Sequence, residues 1–336
     1  MGVAEPLVLP GLQAPSHIAI DGGHVARFSR LRSARANRGS ALVTNRSDRV
    51  VKGMIAILGG LGAATMWAIT TICSSRSSRL IGGASTLAWV MLVGLAVTLP
   101  AVVASGVPAG LDGPTAGWLV AAGGGNVLGL LLEYRGFRLG KVGVVSSIAS
   151  TEGAIAALIA VTAGERISAG AGTTLAVIAA GVCMAALTGD RDETTGEARE
   201  GVAALYAVGA ALCFGISIYA TGRVSQELPI LWAVLPARAV GVAAVTSPLA
   251  LTSRLRIARP AVPLVVVAGL AEVAGFASFA LGARHGIAVT AVLGAQFAAL
   301  SALAARVLFH ERLTRFQLAG VIVIVAGVAI LTALIA

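Results

Sequence analysis

From Met54 onward the chain alternates between long apolar blocks and short hydrophilic connections. The blocks run approximately 54–73, 84–105, 116–134, 142–163, 170–188, 201–221, 229–251, 261–283, 287–309 and 316–335. Between them stand stretches such as GVPAGLDGP, EYRGFRLGK, GERIS, TSRLRIARP and HERLTR. No block shows the period-two alternation of a half-buried strand, and roughly 20 residues of α-helix cross the hydrocarbon core of a bilayer. The pattern predicts an all-α polytopic membrane protein with ten transmembrane helices.

The blocks are written twice. GAATMWAITTICSSR (Gly62 to Arg76) aligns without a gap with GAALCFGISIYATGR (Gly209 to Arg223), keeping Gly-Ala-Ala, an aromatic at Trp67 and Phe214, an isoleucine and the closing arginine. Further on, TAGERIS is answered by LFHERLT, so that Glu165-Arg166 matches Glu311-Arg312, and AAGV (Ala179 to Val182) is answered by VAGV (Val325 to Val328). The most charged connection, GDRDETTGEARE, falls between the fifth and sixth blocks. These boundaries give an N-terminal tail over 1–50, a first repeat over 51–188, a charged linker over 189–200 and a second repeat over 201–336. Five crossings per repeat would bring the second copy into the membrane from the opposite side, as two inverted five-helix repeats. That arrangement places a transport site near the midplane in many secondary transporters.

Taken together, the doubled aromatic-centred first helix, the Glu-Arg turn before the last helix of each half and the small-residue block after it resemble the EamA-type drug/metabolite transporter superfamily. The resemblance covers about residues 52–336. It implies membrane transport of small metabolites, commonly export, without a prosthetic group or other cofactor, in the plasma membrane with both termini cytoplasmic; a homodimer is left open. The chain departs from the common pattern in the middle of the fourth and ninth helices, where Ser150, Thr151 and Gly294, Ala295 stand in place of a proline. The pattern therefore gives no reason for a kink there.

Composition agrees with a membrane setting. Only 12% of residues are charged against 57% hydrophobic, too few charges to cover a water-soluble surface. The formal charge of +10 would elsewhere suggest nucleic acid, but much of it lies in the tail, at Arg27, Arg30, Arg32, Arg35, Arg38, Arg46, Arg49 and Lys52. Basic residues beside a membrane set topology or touch anionic lipid, so the partners expected are the bilayer and a small-molecule substrate, not nucleic acid. The tail lacks helical periodicity and reads as disordered and cytoplasmic; translation starting further down is the alternative. A cytoplasmic N-terminus leaves Arg76, Arg79, Arg135, Arg138, Lys141, Arg254, Arg256 and Arg259 in external loops, against the positive-inside rule. Cys73, Cys183 and Cys213 stand in no CxxC or CxxH spacing, so neither a disulfide framework nor a metal site is indicated.

Candidate chemistry lies where polar residues interrupt the apolar blocks. Glu272 sits near the centre of the eighth, where a charge costs roughly 2.5–3.5 kcal/mol on insertion scales. Arg238 lies comparably deep in the seventh and is the natural partner. The repeat puts Asn126 opposite Glu272, and Glu133 falls seven residues beyond Asn126, on the same helical face with Gly129 between them. Glu272, Gly275 and Phe279 repeat that spacing. These two faces are candidate cavity linings, although Gly125, Gly129, Gly275 and Gly282 read better as points of close helix approach. Glu152, flanked by Ser146, Ser147, Ser150 and Thr151, suits a wet wall of the path and a role in proton coupling, with Gln296 at a similar level in the ninth helix. The turn residues Glu165, Arg166, Glu311 and Arg312 read as structural. Their carboxylates favour the positive end of the following helix, next to the capping residues Ser168 and Thr314, and Thr314 with Gln317 has capping-box spacing. Trp67, Trp89, Trp118 and Trp232 read as anchors or packing.

The leading reading is a secondary transporter working by alternating access, with a substrate and a proton sharing a midplane cavity. No GxxxxGK[ST] loop is present to bind ATP, and no HExxH or GxSxG supports an intramembrane enzyme. A non-transporting membrane scaffold is the remaining alternative.

Overall fold

A computed structural model describes residues 22–139, 145, 148–186, 197–297, 299–301, 303–304 and 315–335; side chains are described from residue 48 onward, with a few exceptions inside helices. Met1–Asp48 and Arg49–Ala336 form separate compact units. The helices are α1 (Gly22–Ile81), α2 (Gly83–Ser105), α3 (Gly113–Leu139), α4 (Glu152–Thr162), α5 (Ala169–Ala186), α6 (Glu197–Glu227), α7 (Ile230–Leu251), α8 (Val262–Ala283), α9 (Ile287–Gly294) and α10 (Arg315–Ile335). Six are long and apolar enough to cross a membrane, the relevant part of α1 being Val50–Ile81, and four shorter apolar helices accompany them among the described residues. α1 opens at Gly22, inside the segment that the sequence reads as an unstructured tail. Its Ala, Leu and Arg residues are good helix formers, so the missing apolar stripe there did not exclude a helix.

The interior of the membrane unit is built from small residues. Ala63, Ala64, Ala156, Ala207, Ala210, Ala211 and Ala288 are almost wholly buried, while bulky residues such as Leu205, Val120, Val103 and Ile322 face outward. A water-soluble bundle has the reverse order. In lipid the outward chains lose nothing by exposure, and small inward ones let backbones approach.

Two helices are broken at mid-length without proline. Ser150 and Thr151 form a turn before α4, where Thr151 donates from both its N–H and its hydroxyl to the carbonyl of Ile148, at 3.1 and 2.7 Å. Ala295 and Gln296 form the matching turn after α9, with the Gln296 N–H donating to the carbonyl of Leu293 at 3.3 Å. These bonds to the third residue back tighten the helix locally and end its regular ladder. Proline is one route to such a break; a hydroxyl competing for a backbone carbonyl is another. In α7 the irregularity is a π-helical turn over Val242–Thr246, bridged by the Ser247 hydroxyl donating to the carbonyl of Val242.

Packing between the halves obeys an exchange rule. α2 packs on α7, α4 on α9 and α5 on α10; α3 packs on both α6 and α7, while α8 packs on both α1 and α2. Within these pairs, replacing each helix by its counterpart in the other half returns the same set. The rule holds at single residues. A Cβ on Gly94 would lie 2.8 Å from Cδ of Arg238, and one on Gly241 would lie 2.6 Å from Cγ of Met91. Gly129 receives the ring of Phe214 and Gly275 that of Trp67, each with ring atoms within 2.7 Å of the missing Cβ. Gly181 meets Ile324 and Gly327 meets Ile178. In every pair the two glycines and their two guests are related by the repeat spacing. Three further contacts meet at α9: Ala56, early in the membrane part of α1, accepts the Thr290 hydroxyl, Glu165 beyond the end of α4 accepts the Ile287 N–H, and Gly222 near the end of α6 holds Ile287. The end of α6 and the first residues of the membrane part of α1 thus meet the same turn of α9.

Candidate functional site

At the crossing of α2, α7 and α8 lies a charge with no exposed surface. Arg238 is completely buried, and its Nη2 stands 3.4 Å from Oε1 of Glu272, whose side chain is 15% exposed. The guanidinium carbon lies 4.9 Å from the ring centroid of Phe276, one helical turn beyond Glu272, and Nη1 stands 3.3 Å from Sδ of Met91. A carboxylate, an aromatic face and a thioether thus surround the cation, each of them an electron-rich partner. Gly94 is needed beneath it because any side chain there would strike the stem of Arg238. Arg238 Nε has no hydrogen-bond partner among the described residues. The pair is held but not saturated.

Glu152 is buried at the first turn of α4, directly after the Ser150-Thr151 break. There the free N–H groups of a helix start favour negative charge. Glu133 on α3 and Glu272 on α8 are both near enough to act on it electrostatically. Glu133 and Glu272 thus act on Glu152, and Glu272 is in turn paired with Arg238. Among the described residues neither Glu133 nor Glu152 forms an ion pair. Asn126 and Gln296 are buried, with Asn126 Oδ1 and Gln296 Nε2 lacking partners among the described residues. Ser146 and Ser147 lie outside the described residues.

The two faces read as cavity linings are more filled than expected. Gly275 and Phe279 are covered by Trp67, whose ring lies 5.3 Å from Phe276, 6.1 Å from Phe279 and 6.3 Å from Phe297. Gly125 packs on Cys213 and Ser217, Gly129 on Phe214, and Gly282 on Gly59. These glycines serve close approach, and Trp67 is a packing residue with its Nε1 unpaired among the described residues. Trp118 packs edge-on against Tyr219, and Trp89 donates to the carbonyl of Arg256.

The turn residue Glu165 has a different partner from the one its sequence position suggests. Its carboxylate accepts the N–H groups of Ile287 and Ala288, at 3.1 and 3.2 Å, and so caps α9 in the other half rather than α5, the helix that follows it. α5 is capped by Ser168, whose hydroxyl accepts the N–H of Ala171 at 3.2 Å. α9 needs the help because its own N-cap is Gly286, which has no side chain to offer. Burial pushes the Glu165 carboxyl above its ordinary value, and the two N–H groups pull it back. Nearby, Arg284 donates to the carbonyls of Ser225 and Leu228 at the end of α6, while Thr115 donates to Glu227. Arg166 is exposed. Glu311, Arg312 and Thr314 lie outside the described residues, as does the side chain of Gln317.

The sequence profile of the EamA-like transporter family matches residues 54–187 and again residues 201–333. The chain belongs to the EamA-like transporter family. It is accordingly a multi-pass membrane protein of the two-repeat drug/metabolite transporter kind, and the family is one of transporters rather than enzymes. Its fold is similar to that of a crystal structure described only as "Crystal structure of protein", with a TM-score of 0.68 at 20% identity over 83% of this chain and 96% of that one. At that identity the likeness speaks for the fold alone. No curated protein matches the chain.

Proposed function

We propose that this EamA-like protein is a secondary transporter that moves a small metabolite, outward in the cell, by alternating access between two inverted five-helix halves. The observation that carries this reading is the buried Arg238 held by Glu272 in the second half, with Glu152 buried in the first. Charges at such depth are expensive and are kept where a path needs them. The exchange rule in the packing supports the second part of the reading, because two equivalent arrangements of one interface are what a rocking mechanism requires. α4 and α9, each next to a break in its helix, take the place that discontinuous helices take in many carriers. In the ten-span reading the shorter apolar helices complete the crossings, the basic tail keeps the N-terminus cytoplasmic, and the C-terminus returns to that side of the plasma membrane.

Glu152 is the residue we propose for proton coupling. It sits beside two other carboxylates with no ion-pair partner among the described residues. The test is flux in reconstituted vesicles, with the cargo first found by comparing metabolites inside and outside cells that lack or overproduce the protein. An imposed pH gradient should drive uptake, and Glu152→Gln should remove the dependence on the gradient while exchange of cargo persists. Equal rates with and without the gradient would dispose of coupling.

A further inference from the structure

We infer that Glu165 is the positioning residue of a gate on the face where the membrane part of α1 begins, its carboxylate latching the first turn of α9 across the two halves. The inference rests on the alternating-access reading above. Four observations meet at this point. The bond joins different halves: Glu165 follows the end of α4, and Ile287 and Ala288 open α9. The latched turn is a junction, since Ile287 fills the space above Gly222 of α6 and the Thr290 hydroxyl contacts the carbonyl of Ala56 in α1. No side chain of α9 caps its own start, so the latch supplies what Gly286 does not. Finally, the latch sits at the outer end of the two half-helices, α4 and α9, which pack on one another through Gly153 against Ala291 and Ala295 and are each cut free of regular helix at their inner ends.

A segment broken at mid-membrane and tied at its outer end by one carboxylate can swing when the tie is released. In the conformation described here the tie is made. Opening this face must part Glu165 from α9 and expose Ala56, which is 1% exposed beneath the latched turn.

The test uses cysteine labelling in a full-length background in which Cys73, Cys183 and Cys213 are replaced by serine. A single Ala56→Cys reports on the latched face. Ala261→Cys, buried near the start of α8 at the other end of the bundle, is the control. A membrane-impermeant maleimide is applied to each face in turn, so that both positions are within reach of the reagent. Glu165→Ala should raise the labelling rate at position 56 roughly fivefold or more, the factor that loss of a helix cap places on a local equilibrium, and leave position 261 unchanged. Glu165→Gln keeps one acceptor oxygen, should give an intermediate rate, and carries the test where the alanine variant does not insert. An unchanged rate at position 56, or an equal rise at both positions, would overturn the latch. The readout needs no cargo, so its failure would leave the transport reading untouched, whereas failure of flux would leave the labelling result standing.

Discussion

The two halves share their packing and differ in their charges. On the packing side the correspondence is close: Gly94 accommodates Arg238 as Gly241 accommodates Met91, and Gly129 accommodates Phe214 as Gly275 accommodates Trp67. On the chemical side it fails at the same places. Where the second half has Arg238 the first has Met91, and where it has Glu272 the first has Asn126. The glycine sockets recur in both halves; their guests are identical at Ile178 and Ile324, aromatic at Trp67 and Phe214, and change character at Met91 and Arg238. In the mechanism proposed above, a symmetric scaffold would let the protein present one interface in two arrangements, and an asymmetric set of charges would make those arrangements differ in what they bind.

The largest effect should come from breaking the asymmetric part alone. Glu272→Leu leaves Arg238 buried without a countercharge, a change that costs about 3–5 kcal/mol when a buried pair loses one partner. The variant should insert poorly and unfold earlier in a thermal melt, whereas Glu272→Gln should fold but lose flux. Unchanged flux in Glu272→Gln would remove that residue from the path. Next come the sockets. Gly275→Val and Gly129→Val both drive a side chain into an aromatic ring, and overpacking of this kind costs roughly 1–3 kcal/mol. The two variants should be affected to similar degrees, and a large cost at only one of them would break the symmetry of the packing.

A sharper form of the comparison moves the charges across. Met91→Arg with Arg238→Met should be destabilised, because the relocated cation has only Asn126 at the position that matches Glu272, while Glu272 itself is left unpaired. Adding Asn126→Glu and Glu272→Asn should recover most of the melting temperature. Failure of the fourfold exchange to improve on the twofold one would show that the sockets are not equivalent. The smallest expected effect is at an exposed end. Asp112 accepts the N–H of Thr115 at the start of α3, and the hydrogen bonds from Thr115 hold its carboxyl below the ordinary range. A lowered carboxylate contributes stability that is present above its unfolded value and lost as pH falls through the folded one. Asp112→Asn should flatten that acid dependence of the melt and change little at neutral pH.

How much of this was legible in the chain depends on the range of the interaction. Helices came from local composition, and the residues of the doubling, Trp67 with Phe214 and Gly181 with Gly327, were visible because repeats align without structure. The depth of Glu272 and Arg238 in neighbouring helices was enough to suggest that they meet. Other features were hidden. The breaks at Ser150-Thr151 and Ala295-Gln296 carry no proline, and a turn made by a hydroxyl and a single shifted hydrogen bond has no strong compositional mark. Glu165 looked like a charge at the positive end of α5, with Ser168 as the cap, because helix-end contacts are usually local; its carboxylate meets Ile287 and Ala288, more than a hundred residues away in the chain. The convergence of Glu133, Glu152 and Glu272 required three helices to be placed together, which spacing along one helix cannot show. The faces of Glu133 and Glu272 looked open in projection and are largely covered, because Phe214 and Trp67 fill the spaces that the glycines leave.

The account turns on α1 and α6 running in opposite directions, which places the connection between the halves across the membrane from the start of α1. A cysteine or protease site inserted into the charged stretch between Ala186 and Glu197, compared with one placed just before Val50, measures this directly with an impermeant reagent. The account predicts that the two sites react from opposite sides of the membrane. Reaction of both from the same side would contradict it.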